Sequence, residues 1–218
     1  MSARLIAVTS PRIAGVDNAE QLIAYAARVS NPQNQMNHES SSRLLKYCLK
    51  NGHYSVFETA SMTVEIKTTR AIAAQVLRHR SFTFQEFSQR YAKVDVTIPP
   101  AEARMQDNKN RQNSVQTDDI ELHQWFTDEQ KQLYEKSIEL YEKAIEKGVA
   151  KESARFVLPL ATPTTLYMTG NIRDWIFYIK LRSKNGTQRE HADIANAIKQ
   201  IFKEEFPVIS EALEALEW

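Results

Sequence analysis

Hydrophobic and polar positions change period along the chain, and each period marks an element. Residues 61–68, SMTVEIKT, alternate strictly, with Met62, Val64 and Ile66 on one face and Thr63, Glu65 and Lys67 on the other. That alternation predicts a half-buried β-strand. RLIAVT (4–9) and TTLYMT (164–169) read as strands as well. Behind a capping residue at Asp17 or Asn18, Leu22, Ile23, Ala26 and Val29 fall at helical spacing. A second helix covers Ser41–Lys50 and stops at Gly52, and a third, TRAIAAQVLRHR, spans 69–80.

Further along, FSQRYAKVDVTIP (87–99) looks extended up to Pro99 and Pro100, and 101–119 is polar and irregular, which predicts a long surface loop. Tyr134, Ile138, Tyr141 and Ile145 form the stripe of an amphipathic helix over 128–148 that Gly148 ends. A short helix follows at 151–159, then the strand, a helix at 171–183 capped by Asn171, and a last long helix at 188–206. Strands and helices are interspersed without regular βαβ alternation. The expected class is α+β, with an antiparallel or mixed sheet packed against long helices, in a single domain over 1–218.

Charge then changes the picture. With 28 Lys+Arg against 27 Asp+Glu, no global field draws in nucleic acid, so any anion binding has to be local. A single cysteine, Cys48, excludes an intramolecular disulfide and sits at helical spacing with Leu44, Leu45 and Leu49, as a core thiol does. No apolar run approaches the roughly 20 residues that span a bilayer, and a cytoplasmic location is expected. The five histidines lack metal-ligand spacing, and no two of the five glycines lie close enough for a dinucleotide fingerprint or a phosphate loop.

The chemistry concentrates in RHRSFTFQEFSQRY (78–91). Arg78, His79 and Arg80 stand side by side, and in an extended backbone Glu86, Ser88 and Arg90 would point one way. Adjacent cations repel unless an anion neutralises them. Guanidiniums, a carboxylate and a hydroxyl on adjoining elements suit a phosphorylated ligand. Arg155, Arg173 and Arg182 extend this to a set of about six arginines, each of which taken alone reads as a structural ion pair. A solvated helix end, a nucleic-acid-binding module and a non-catalytic oligomeric scaffold are the competing readings. The neutral net charge and the scattered basic stretches disfavour the second.

The pattern resembles the signature of the flavin-dependent thymidylate synthases: an Arg-His-Arg triplet, seven residues, then Ser-x-Arg-Tyr. AARVSN, GHYSVFE, QVLRHRSFTFQEFSQRY, ARFVLPL, GNIRDW and LRSKNGTQRE extend the likeness over nearly the whole chain, closest to the branch of large DNA viruses, phages and some bacteria. For a viral source the expected location is the host cytoplasm. The resemblance implies a homotetramer that binds FAD at subunit interfaces, with active sites shared between subunits. It also implies methylation of dUMP to dTMP, with 5,10-methylenetetrahydrofolate as carbon donor and NADPH as reductant, and with neither nucleic acid nor membrane as partner.

Position by position, the resemblance implies that Gln75, Val76, Leu77, Arg78, the stretch Glu86, Phe87, Ser88, Gln89, Arg90, and Arg155 and Arg182 hold dUMP. Ser55, Arg78, His79, Arg80, Glu86, Asn171, Ile172 and Arg173 would hold FAD, and His53 would lie near the flavin and folate site. Arg182 is the expected catalytic residue, stabilising charge that develops on the uracil ring. Reduced flavin would supply the hydride, so no protein nucleophile is required, in keeping with the core setting of Cys48. Thr83, Gln85 and Phe177 depart from the usual residues at their positions, and Phe177 puts one flavin contact in question.

Overall fold

The computed structural model describes residues 1–184 and 186–216. Strand β1 (Ser2–Val8) leads to helix α1 (Ala19–Ala27), a one-turn 3-10 helix (Pro32–Asn34), α2 (Ser41–Lys50) and a second 3-10 helix (Tyr54–Thr59). Then come β2 (Ser61–Thr69), α3 (Arg70–Val76), β3 (Thr83–Glu86), a small hairpin of β4 (Met105–Gln106) and β5 (Ser114–Val115), and the long α4 (Ile120–Glu146). The chain ends with α5 (Lys151–Ala154), a 3-10 turn (Arg155–Val157), β6 (Pro163–Asn171), α6 (Ile172–Arg182), α7 (Arg189–Glu205) and α8 (Pro207–Glu214).

Four strands pair in the order β1-β2-β6-β3, antiparallel throughout. This is the α+β class the spacing implies. The apolar face of β2 is buried as the alternation requires, with Met62, Val64 and Ile66 no more than 1% exposed. Leu166 and Met168 of β6 continue that face, and α6 and α7 close over it with Trp175, Ile179, Ile194 and Ile198. Asn18 and Asn171 cap α1 and α6 through side-chain oxygens that accept from Gln21 N and Asp174 N at 2.9 Å each. Gly170 is where sheet and turn meet most closely: a Cβ there would lie 2.5 Å from the Phe82 ring.

Four expectations need correction. The third helix ends at Val76, because Arg78 N and His79 N bond Gln75 O and Val76 O in a tightening turn. The basic triplet therefore lies in a turn beyond the helix. Residues 83–86, rather than 87–99, form the extended segment, as β3 against β6. After it the backbone turns, with Tyr91 N and Ala92 N both bonded to Ser88 O, so Glu86, Ser88 and Arg90 do not share a face. Last, α4 starts at Ile120, where the Asp119 carboxylate accepts from Leu122 N, and the polar loop before it carries the β4–β5 hairpin.

Candidate functional site

Two elements set the layout. α3 is seven residues long, about 10 Å at 1.5 Å per residue, so Arg70 at its start and Gln75–His79 at its end are well apart. β6 spans nine residues, so its two ends are separated by about 26 Å at 3.3 Å per residue. The residues singled out from the sequence divide between these ends.

At the Asn171 end, the turn 78–82 lies along α6. Ser81 bonds the Asp174 carboxylate, whose pKa is raised chiefly by burial. His79 Nε2 accepts from Arg182 Nε at 2.9 Å. Burial, then the nearby charges of Arg182 and Arg78, pushes His79 down to about 4, so its imidazole is neutral. Arg78 and Arg80 are exposed, and no carboxylate bonds their guanidiniums among the described residues. Val76 is core, whereas Leu77 is partly exposed. Gln75 Nε2 donates to Gln188 Oε1 at 2.6 Å.

On the outer face of α6, Arg173 is ion-paired with Glu58 and its guanidinium sits 5.8 Å from the centre of the exposed Phe177 ring. Tyr54 packs against the same ring at 4.9 Å. Ser55 is exposed beside them, and His53 stands edge-on to Tyr47 at 5.7 Å. Ile172 is buried and serves packing. Phe177, the departure from the family pattern, thus belongs to a cation–aromatic stack.

At the Pro163 end, the Glu86 carboxylate accepts from Arg70 Nη1 at 2.6 Å and from Thr164 Oγ1 at 2.9 Å. Gln89 is buried, Phe87 and Ser88 are exposed, and Arg90 pairs with Glu152 at 3.0 Å. Arg155 lies 5.7 Å from the Phe156 ring centre and helps line a hollow of about 330 Å³ with Arg70, Gln89 and Leu158. A separate cavity of about 910 Å³ opens beyond Gln188, between the hairpin loop and the start of α7. Of the cations that line it, Arg104 and Arg189 are held by Glu190 and Glu102, and Arg111 and Lys184 line it as well.

The arginines of one protomer therefore do not surround a single pocket. One group is Arg173 and Arg182 on α6 with Arg78 and Arg80 in the turn beside it; the other is Arg90, paired with Glu152, and Arg155, in the hollow with Arg70 and Gln89. Sequence reasoning missed Arg70 and Thr164, the anchors of Glu86, and Gln188, the partner of Gln75. It gave no role to Tyr178 or His191, which pack on His79. Long-range pairings of this kind leave no periodic signal. Cys48 is buried in the core, and burial raises its thiol pKa. Cys48→Ala is accordingly expected to keep the chain's activity within about twofold, since a buried neutral thiol supplies no nucleophile; an inactive but folded variant would contradict this.

An α+β chain that offers uncommitted guanidiniums, a neutral imidazole and exposed aromatic faces, with no glycine loop, is a side-chain-built binder of anionic ligands. Residues 11–208 match the model of the family described as thymidylate synthase complementing protein. The chain is 64% identical over 214 residues to a probable flavin-dependent thymidylate synthase of Paramecium bursaria Chlorella virus 1, covering 98% of this chain and 99% of that one. It is 50% identical over 218 residues to the flavin-dependent thymidylate synthase of Synechocystis sp., covering 98% and 100%. Its fold is similar to the crystal structure of a UMP/dUMP methylase, PolB, from Streptomyces cacaoi bound with 5-Br dUMP, with a TM-score of 0.85, 26% identity, and 98% and 94% of the two chains covered. The chain belongs to this family, the flavin-dependent thymidylate synthases.

Proposed function

We propose that residues 1–218 act as one catalytic unit of a homotetramer that methylates dUMP to dTMP, with 5,10-methylenetetrahydrofolate as carbon donor and NADPH as reductant. By family the chain is an FAD-dependent enzyme. The observation that carries the reading is the partner of Arg182. A structural arginine is normally neutralised by a carboxylate, but Arg182 is held by a neutral imidazole, and its full charge stays available to an anionic ligand.

The residues at the Asn171 end fit FAD. Arg78 and Arg80 offer free guanidiniums to a pyrophosphate, and the Tyr54–Phe177 surface offers a flat aromatic wall to a ring system. Ser55, Asn171 and Arg173 flank it, and Arg173 would have to exchange Glu58 for the ligand. When bound and reduced by NADPH, FAD would supply the hydride that the reductive methylation consumes. Arg182 would stabilise the negative charge on the polarised uracil ring, an electrostatic task that moves no proton. Arg78, Arg90 and Arg155 would hold the phosphate, with Gln75, Glu86 and Ser88 as hydrogen-bonding groups.

The hollow that Arg155 lines holds neither Arg78 nor Arg182, so a nucleotide touched by both groups would draw on two protomers. Subunit contact is supported by the apolar side chains exposed beside the second group: Tyr91 is 86%, Phe156 82% and Leu160 72% exposed. Along α4, Leu133 and Leu140 are likewise exposed and two helical turns apart. No helix among the described residues is long and apolar enough to cross a membrane.

The reading is tested on the purified protein. It is expected to be yellow, to bleach when NADPH is added without oxygen, to recolour in air, and to form dTMP when dUMP and the folate are present. A colourless protein that takes up no FAD and forms no dTMP would overturn the proposal.

A further inference from the structure

Behind Arg182 lies a group of three packed rings to which the reading so far gives no task. The His79 ring meets Tyr178 nearly perpendicularly, at 4.8 Å between centroids and 81°. The Tyr178 hydroxyl and His191 Nε2 are 3.1 Å apart. His191 in turn lies 6.0 Å from His79, ring to ring, and is fully buried.

This arrangement is costlier than packing requires. Among the described residues, His191 Nδ1 is buried without a hydrogen-bond partner. Tyr178 and neutral His191 hold one hydroxyl donor and one imidazole N–H donor between them. If the hydroxyl donates to Nε2, the Nδ1–H is orphaned; if Nε2–H donates to the hydroxyl oxygen, the hydroxyl proton is unused by that contact. An apolar pair would leave no orphan, but it would also lack the hydrogen bond that holds the two rings together over His79. A buried polar atom left unpaired is uncommon and calls for an explanation.

We propose that Tyr178 and His191 are positioning residues: they fix the His79 ring and exclude water from it, so that Nε2 remains a lone-pair acceptor for Arg182 Nε–H. This rests on the reading of Arg182 as the group facing the nucleotide. An imidazolium has hydrogens on both nitrogens and cannot accept from a guanidinium. The titratable and charged groups facing His79 are Tyr178 and Arg182 from α6, His191 from α7 and Arg78 from its own turn. Burial, followed by the charges of Arg182 and His79, holds His191 down to about 4 as well. Burial also pushes the Tyr178 hydroxyl up, so it keeps its proton.

The sign of the effect follows. Burial is the main cause of the lowered His79 pKa, so letting water in raises it toward the ordinary 6.5. At pH 5.5 an imidazole titrating near 6.5 is about ten parts charged to one neutral, whereas one titrating near 4 stays about 97% neutral. A charged His79 releases Arg182.

The test compares wild type with Tyr178→Phe, His191→Leu and His191→Gln between pH 5.5 and 8. The first readout is kcat/KM for dUMP, taken as a ratio to wild type at the same pH so that titration of the ligand phosphate cancels. Tyr178→Phe and His191→Leu are expected to lose up to about tenfold more at pH 5.5 than at pH 8, as the charged fraction of His79 rises. His191→Gln, whose amide can stand in for Nε2, is expected to keep the wild-type profile. An equal loss at every pH, or the same profile in Gln and Leu variants, would reduce the pair to packing and overturn the proposal.

The second readout is the 15N shift of the His79 imidazole in ligand-free protein. It is expected to show Nε2 as the unprotonated nitrogen at pH 6 in wild type, and titration near pH 6 in the two disruptive variants. Unchanged titration in Tyr178→Phe would also overturn the proposal. That variant loses one oxygen and keeps its ring, so it decides the matter should the His191 variants fail to fold. If wild type forms no dTMP, the functional reading falls, while the shifts still decide the positioning role.

Discussion

Arg182→Ala is expected to leave a yellow, folded protein whose kcat for dTMP formation falls about 100- to 1,000-fold, the usual cost of removing one preorganised electrostatic stabiliser. The loss should lie in kcat more than in flavin affinity, because Arg182 ends α6 while Asn171 and Arg173 stand at its start. Arg182→Lys should rescue little. Lysine keeps the charge but lacks the Nε–H that His79 Nε2 accepts and the planar fork that the bond orients. Steady-state kinetics with a flavin absorbance spectrum measure both. Full activity in the alanine variant would remove Arg182 from the mechanism.

The second large effect is on stability. Trp175 is fully buried between the sheet and the turn 78–82, and its Nε1–H donates to Met62 O at 3.0 Å. Phe82 packs against it at 4.7 Å and Tyr178 at 5.9 Å, both nearly perpendicular. Trp175→Ala would leave a large cavity, costing about 3–5 kcal/mol. For a chain of this size each kcal/mol lowers Tm by about 2–4 °C, so a drop on the order of 10 °C is expected. Calorimetry of the flavin-saturated protein measures it. A shift below about 3 °C would show that the ring does not bear on the core as described.

The central sheet was legible in the sequence wherever one face is buried and the other is not. β2 and β6 alternate because α6 and α7 cover a single face, and the caps at Asn18 and Asn171 stand where their side-chain oxygens are needed. The first turns of α4 escaped notice because Ile120 and Trp125 are exposed and add nothing to an apolar stripe. α8 follows directly on α7 with Phe206 as its cap and Pro207 in its first turn, a junction that helical spacing does not resolve.

For the site, the chemistry was legible as residue types and the geometry was not. Arg78 and Arg80 stand in the turn that packs on α6, the helix that carries Arg182. The turn at Ser88–Ala92 and the anchoring of Glu86 by Arg70 and Thr164 depend on pairings across 16 and 78 positions, which no local pattern encodes. Asn185, within the motif LRSKNGTQRE, lies outside the described residues.

The account turns on two groups of side chains, held apart within each chain, meeting across subunits around one nucleotide. Mixing two inactive variants tests this most directly. Arg182→Ala and Arg90→Ala subunits, unfolded together and reassembled at equal amounts, should regain about a quarter of wild-type dTMP formation, because random pairing leaves that share of sites with both arginines. A mixture no more active than its two parents, in tetramers shown to contain both subunits, would mean that each chain builds its site alone.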